Sequence, residues 1–323
     1  MFLALKGVCR RRGRTQVLED ITFALDKGQI VSIIGPSGVG KTTLLGIIAG
    51  LDAPDKGGLT FGTQPSREHP VILVHQDFML FPNLTVFENT AFGLAARRRP
   101  KAEIKRRVMD MLDFFRMADH QDRYPHQLSA GQKQRVAIAR AMVVEPMLLL
   151  LDEPFANLDR NLKMSTAEFL RQTQRSFGVT TIAATHDLEE AFAMSDSIGL
   201  LLQGRLVQYA PAHEIYLRPP SREAGEFLGP VNEIGPDFFH LLDLPENTQL
   251  DQVLLVRPEC VELTAASDGP GLATDVAFIG HYTKYRVELD GAVILAYGRY
   301  DSITSGQRVR IRVRRCLQTP EAP

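Results

Sequence analysis

Apolar and polar positions along the chain follow two regimes. Up to about residue 217, short apolar runs alternate with stretches whose apolar residues recur every three or four positions. Ile30–Ile34, Val71–Val74, 147–151 and 180–184 are runs of the first kind, and 147–151 has no polar side at all. A continuous apolar run of that length predicts a parallel strand covered on both faces. Between Pro100 and Arg116, Ile104, Val108, Met111, Leu112 and Phe115 fall at helical spacing and predict one buried helix face. Residues 17–25 predict a strand joined to Ile30–Ile34 by the turn Asp26-Lys27-Gly28. Residues 52–62, with Pro54, Gly57 and Gly58, predict turns. Residues 198–202 and 205–209 predict a hairpin around Gln203-Gly204.

Helix starts are marked by capping pairs: Thr85 with Glu88, Ser129 with Gln132 ahead of a helix over 133–143, and Asp187 with Glu190. After Arg218-Pro219-Pro220 the composition turns to short strands. Residues 285–290 and 292–295 flank an Asp-Gly hairpin turn, and 309–314 alternate strictly between apolar and arginine. The pattern predicts an α/β domain over 1–217, a linker over 218–230 and a small all-β barrel over 231–323.

Gly35-Pro36-Ser37-Gly38-Val39-Gly40-Lys41-Thr42 matches G-x-x-x-x-G-K-[ST] between a predicted strand and a predicted helix, the context that makes this pattern a phosphate site. Glycines let backbone N–H groups curl around phosphates, and a helix N-terminus adds partial positive charge. Ser37 to Thr43 (Ser37, Gly38, Val39, Gly40, Lys41, Thr42 and Thr43) would hold the nucleotide, Lys41 reaching the β- and γ-phosphates and Thr42 ligating Mg²⁺. Asp152 and Glu153 end a buried strand, where two adjacent carboxylates are costly to ionise without a cation or strong donors. Gln76 and His186 likewise follow predicted strands, where open parallel sheets hold ligands. Ser129 at a helix start is plain capping chemistry and also an anion site.

Charge narrows the picture a little. Lys+Arg 37 against Asp+Glu 38 leaves a net charge of -1, so no global charge points to a nucleic-acid partner. Arginine clusters at 10–12, 97–99 and 310–315 read as solvated faces. Cys9, Cys260 and Cys316 lie far apart without metal-ligand spacing, which suits free thiols in a reducing compartment. No apolar run approaches the ~20 residues of a membrane-spanning helix, and no signal peptide is visible. A soluble, cytosolic chain is expected.

In order and approximate spacing, Gln76, the segment 128–132, Asp152-Glu153, Asp159 and His186 resemble an ABC-type ATPase cassette covering about residues 1–217. Val256-Arg257-Pro258-Glu259 and the strands after it resemble, more loosely, the regulatory TOBE-like β-domain of bacterial importer ATPase subunits. The resemblance implies a P-loop NTPase fold, an ABC cassette with antiparallel β and helical subdomains, followed by an OB-like barrel. It implies ATP and Mg²⁺ as ligands, with Thr42, Gln76 and Asp152 around the metal, Glu153 as general base, and Gln76 and His186 orienting water and γ-phosphate. Ser129, Ala130, Gly131 and Gln132 would bind ATP held by a second ATPase subunit in a head-to-tail homodimer, and Asp159 would communicate across that interface. The segment 76–88 would contact transmembrane permease subunits. A substrate-binding protein completes such an importer of polyamine, ferric iron, sugar or oxyanion on the cytoplasmic face of the inner membrane, with no nucleic acid involved. Two residues depart from the family pattern: Ala130 where glycine is usual, and Arg12 where an aromatic ring usually stacks on adenine. Arginine can stack on a base as well, worth roughly 0.5–2 kcal/mol. A soluble ABC-type ATPase acting on DNA or ribosomes is the alternative; its customary coiled-coil insert or second cassette is not visible here.

Overall fold

The structure is a computed structural model that describes residues 1–156, 160–246, 248, 251–299 and 302–317. It divides into two compact units, Met1–Ile215 and Tyr216–Pro323.

In the first unit β1 (Leu3–Arg12), β2 (Thr15–Leu25), β3 (Ile30–Ile34), α1 (Lys41–Ile48), β4 (Lys56–Phe61), β5 (Val71–Val74), α2 (Val86–Ala96), α3 (Lys101–Phe114) and α4 (Ala130–Met142) come first. They are followed by β6 (Leu148–Asp152), α5 (Arg160–Phe177), β7 (Thr180–Thr185), α6 (Leu188–Met194), β8 (Ser197–Leu202) and β9 (Arg205–Pro211). The main sheet has the order β5-β6-β7-β3-β8-β9. Its first five strands are parallel; only β9 runs antiparallel, returned by Gln203 and Gly204, both at positive φ as a two-residue hairpin turn requires. Every residue of β3, β6 and β7 is buried, as their unbroken apolar character predicts.

A second sheet, β2-β1-β4, is antiparallel and shares a core with α1 and the main sheet, built from Leu3, Leu18, Ile33, Leu44 and Leu150 among others. The helices α2, α3 and α4 bury a separate core around Val86, Leu112, Phe115 and Val136.

Residues 52–62 are not turns throughout: β4 pairs Leu59 with Leu5 and Phe61 with Leu3. The glycine pair hid this strand from pattern reading. Gly57 stands at φ 74 where the β1–β4 register shifts, and a Cβ there would lie 2.2 Å from the carbonyl oxygen of Gly7. Two backbones meet at a bulge that admits no side chain. Helix α4 starts at Ala130, three residues before the predicted 133, because Ser129 caps it directly.

Between the strands of the two units the chain forms α7 (Ala212–Leu217) and α8 (Arg222–Phe227), the latter inside the range read as a linker and capped by Ser221. The second unit then holds β10 (Asn232–Ile234) paired with β11 (Leu254–Val256), and β12 (Val261–Ala265), β13 (Gly271–Phe278), β14 (Thr283–Leu289), β15 (Ala292–Gly298) and β16 (Arg308–Val313). The five-stranded antiparallel sheet has the order β12-β16-β13-β14-β15. Its edge strands β12 and β15 approach each other without pairing, a partly open barrel of the OB kind. Asp290 and Gly291 turn the β14–β15 hairpin at positive φ, and β16 alternates exposed and buried as its sequence does.

Arg257 anchors this unit. It is 1% exposed, donates to the carbonyls of Gly229 and Pro230 at 2.7 and 3.2 Å, and lies 4.3 Å over the Tyr216 ring. Arg257→Ala removes the ring contact and strands both carbonyls, so a loss of about 2–3 kcal/mol is expected. Chemical denaturation followed by tyrosine fluorescence reads it; a midpoint shift near zero would show the arginine dispensable.

Candidate functional site

Parallel strands bring their C-terminal ends to one edge of the sheet, and the residues singled out in the sequence follow those ends. The loop 35–40 leaves β3 and enters α1; Gln76 follows β5, Glu153 follows β6 and His186 follows β7. Sheet order alone therefore gathers groups that lie far apart in the chain, from Gly35 to His186.

The phosphate loop is shaped by glycine. Gly40 has φ 114, and a Cβ on it would sit 2.8 Å from Leu18 Cδ2 and 2.9 Å from the Val17 carbonyl oxygen. At Gly35 a Cβ would come within 2.2 Å of the Leu201 carbonyl oxygen. Helix α1 has no capping side chain and no acid in its first turn, so its N-terminus presents uncompensated positive dipole. The Lys41 ammonium folds back over the loop, donating to the carbonyls of Gly35 at 2.8 Å and Pro36 at 3.0 Å. Burial pulls its pKa down, opposed by the charges of Glu153 and Asp152.

Thr42 Oγ1 donates to Asp152 Oδ1 at 3.0 Å, linking the first turn of α1 to the end of β6. Asp152 is 7% exposed. Burial raises its pKa; the Thr42 bond opposes that, Glu153 adds to it, and His75 and Lys41 pull it down. An oxygen pair of this kind, a hydroxyl and a buried carboxylate, suits a hard divalent cation. Among the described residues no three His, Cys, Asp or Glu side chains gather into a cage.

Glu153 stands at φ 45, in the left-handed region, and its N–H donates to the Ala184 carbonyl at 2.8 Å. The turn swings its carboxylate to 3.2 Å from His186 Nδ1. His186 is half exposed while Glu153 is largely covered. A non-glycine residue with positive φ beside a titratable partner is the kind of strain that collects at functional sites.

Gln76 is exposed beyond the end of β5. Arg12 is exposed at the tip of the β1–β2 hairpin, opposite Thr15, while Val17 and Leu18 of β2 are what touch the phosphate loop. Ser129 caps α4: its Oγ accepts from Gln132 N–H at 3.3 Å and its own N–H donates to Gln132 Oε1 at 2.9 Å. Ser129 is exposed, Ala130 half-buried and Gly131 buried. Among the described residues no hydrogen bond joins this segment to the loop of the same chain. Asp159 lies outside the described residues.

Pattern reading passed over Arg140. On α4, this side chain donates to the carbonyls of Phe78 and Met79 at 2.9 and 2.8 Å, both residues at positive φ, and packs over the Phe81 ring. Phe81 also packs at a tilt against Phe92, and Met79, Phe81 and Phe92 stay exposed as an apolar patch. Nothing local marked Arg140, because its partners lie 61 and 62 residues away.

The family described as ABC transporter matches residues 18–156, and the TOBE domain family matches 254–316. The chain is 46% identical over 311 residues to the sulfate/thiosulfate import ATP-binding protein CysA of Photorhabdus laumondii, covering 89% of this chain and 86% of that one. It is 35% identical over 307 residues to the Fe(3+) ions import ATP-binding protein FbpC 1 of Pectobacterium atrosepticum, covering 90% and 87%. Among solved structures, an ATP-binding cassette in a dimeric post-hydrolysis state bound to ADP and Pi superposes with a TM-score of 0.57 at 30% identity, over 65% of this chain and 98% of that one.

Proposed function

The chain belongs to the ABC transporter family as the ATP-binding, ATP-hydrolysing subunit of an importer, and from this premise we propose how its residues divide the work. The reading rests on one observation: the phosphate loop, Asp152, Glu153 and His186 share one edge of the sheet, with Thr42 bonded to Asp152 and Glu153 beside His186.

Backbone N–H groups of residues 37–43 cradle the phosphates, and Lys41 exchanges two loop carbonyls for β- and γ-phosphate oxygens. Thr42 and Asp152, with Gln76, would hold Mg²⁺, which supplies neutralisation of developing phosphate charge. Glu153 takes the proton of the attacking water at a carboxylate oxygen, and His186 and Gln76 hold water and γ-phosphate in line. Arg12 stacks on the adenine. Ser129, Ala130, Gly131 and Gln132 of one copy close over the ATP of another, and Asp159 links the two sites. A composite site explains why an exposed, helix-capping serine makes no hydrogen bond to its own loop among the described residues, and the dimeric form of the related cassette supports it.

The exposed patch of Met79, Phe81 and Phe92 is the docking face for permease subunits on the cytoplasmic side of the membrane. Among the described residues no helix is long and apolar enough to cross a membrane, so attachment runs through those subunits. Identity is higher to the sulfate/thiosulfate relative than to the ferric one, which makes an oxyanion the first cargo to test.

Asp152 offers a test that needs no partner. Its raised folded pKa means that the native state holds a proton which the unfolded chain releases above about pH 4. That contribution to stability falls as pH rises through the window between the two pKa values. Asp152→Asn should therefore melt higher than wild type without nucleotide at pH 7 and match it near pH 4. With ATP present, Mg²⁺ should raise the melting temperature of wild type and not of the variant. A Mg²⁺ increment retained in Asp152→Asn would remove this carboxylate from the metal site.

A further inference from the structure

Behind His186 lies an ionic cluster that the reaction as drawn above does not use. Glu190 of α6 is 3% exposed, and its Oε2 accepts from Thr185 Oγ1 at 2.7 Å. The same hydroxyl accepts from Asp187 N–H at 3.0 Å, while Asp187 Oδ1 accepts from Glu190 N–H at 3.3 Å and so caps α6. Lys163, one turn into α5, donates to Asp187 Oδ2 at 3.2 Å. Its ammonium also lies 3.1 Å from Glu190 Oε1, an ionic contact without hydrogen-bond alignment.

Both flanks of the turn Thr185-His186-Asp187 are thus tied down, and only the histidine between them projects outward. Lys163, Asp187, Glu190 and His186 line one cleft of about 480 Å³. A buried ion cluster is weak evidence for stability, because desolvation offsets much of the Coulomb attraction. A role in placing the turn accounts better for a nearly dry glutamate aimed at the residue preceding a catalytic histidine. Lys163 adds a link the turn could not make by itself. Helix α5 begins directly after residues 157–159, so the lysine binds the start of that helix to the histidine turn.

We propose that Lys163 and Glu190 are positioning residues for ATP hydrolysis, setting the direction in which His186 leaves β7 and coupling that direction to the first turns of α5. The proposal rests on the reading of His186 given above. Displacing a reacting or orienting group by about 1 Å costs up to about 10²-fold in rate, while ATP contacts made by the phosphate loop stay in place.

Turnover, KM for ATP and binding of a fluorescent ATP analogue are measured for the purified full chain and its variants, with single-turnover assays for the slow ones. Lys163→Met and Glu190→Gln should each lower kcat by about 10- to 100-fold with KM within about twofold. Lys163→Arg, which keeps the charge, should return kcat to within about threefold of wild type. Glu190→Gln keeps the size of the side chain and its acceptor for Thr185, so it remains informative if Lys163→Met fails to fold. In a His186→Ala background, neither change should lower the residual rate further by more than about twofold, as expected of groups that act through the histidine. Wild-type kcat in both variants beside an impaired His186→Ala would overturn the proposal alone. Full multiplication of the losses with His186→Ala would overturn it too, by showing an independent effect. Wild-type turnover in His186→Ala would overturn the role of the histidine and the proposal with it.

Discussion

Glu153→Gln is expected to lower ATP turnover by about 10²–10⁴-fold, the range that general-base catalysis contributes, and to leave ATP bound. The substitution changes one atom. Glutamine keeps the length of the side chain and a carbonyl oxygen, and the backbone that sets its direction does not change. Glu153 owes its position to φ 45 and to its N–H bond with Ala184, neither of which involves the carboxylate. The groups that would hold the nucleotide also stay as they are: Lys41 over its loop, and Thr42 bonded to Asp152. Glutamine cannot accept the proton of the attacking water, so the cycle should halt with ATP intact. If ATP is the bridge between two copies, the halted form accumulates as a dimer. Size exclusion with light scattering, with and without ATP and Mg²⁺, should show the monomer mass doubling only when nucleotide is present. Turnover near wild type would remove Glu153 as the base. A monomer at saturating ATP and Mg²⁺ would reject the two-copy site for Ser129 to Gln132.

Legibility in the sequence divides by distance along the chain. The strands Ile30–Ile34 and Val71–Val74 have the bounds their apolar runs suggested, and the capping pairs at Thr85, Ser129 and Asp187 were visible as pairs three residues apart. Each of those signals is local. The strand β4 was missed because a bulge needs glycine and glycine reads as a turn. The approach of Glu153 to His186 could be guessed only from a family pattern, since it depends on β6 and β7 being neighbours in the sheet. Arg140 and Lys163 carried no signal whatever: each is one more polar residue on a helix until the fold brings its partners close. Sequence alone thus exposes residues whose backbone surroundings are unusual, glycine loops and strand ends above all. It conceals the side chains that hold those features in place.

Lys41→Met is expected to weaken ATP binding by about 10²–10³-fold, as the loss of one or two charge-assisted hydrogen bonds worth roughly 1.5–3 kcal/mol each. Lys41 is 5% exposed, and burial pulls its pKa down, yet Glu153 and Asp152 lie close enough to oppose that. A buried ammonium held on two loop carbonyls at 2.8 and 3.0 Å is a charge stored where phosphate will arrive. Methionine fills nearly the same volume, so the fold should survive with a loss of about 1 kcal/mol for the two carbonyls left to water. Titration with a fluorescent ATP analogue reads the affinity, and a thermal melt without nucleotide reads the fold. A loss of affinity below about threefold would mean that the backbone and the dipole of α1 bind the phosphates largely unaided. The variant also orders the two steps of the cycle. Glu153→Gln stalls after binding and Lys41→Met before it, so the double variant should stay monomeric with ATP and Mg²⁺ present. A double variant that still dimerised would show that closure does not need nucleotide in the loop.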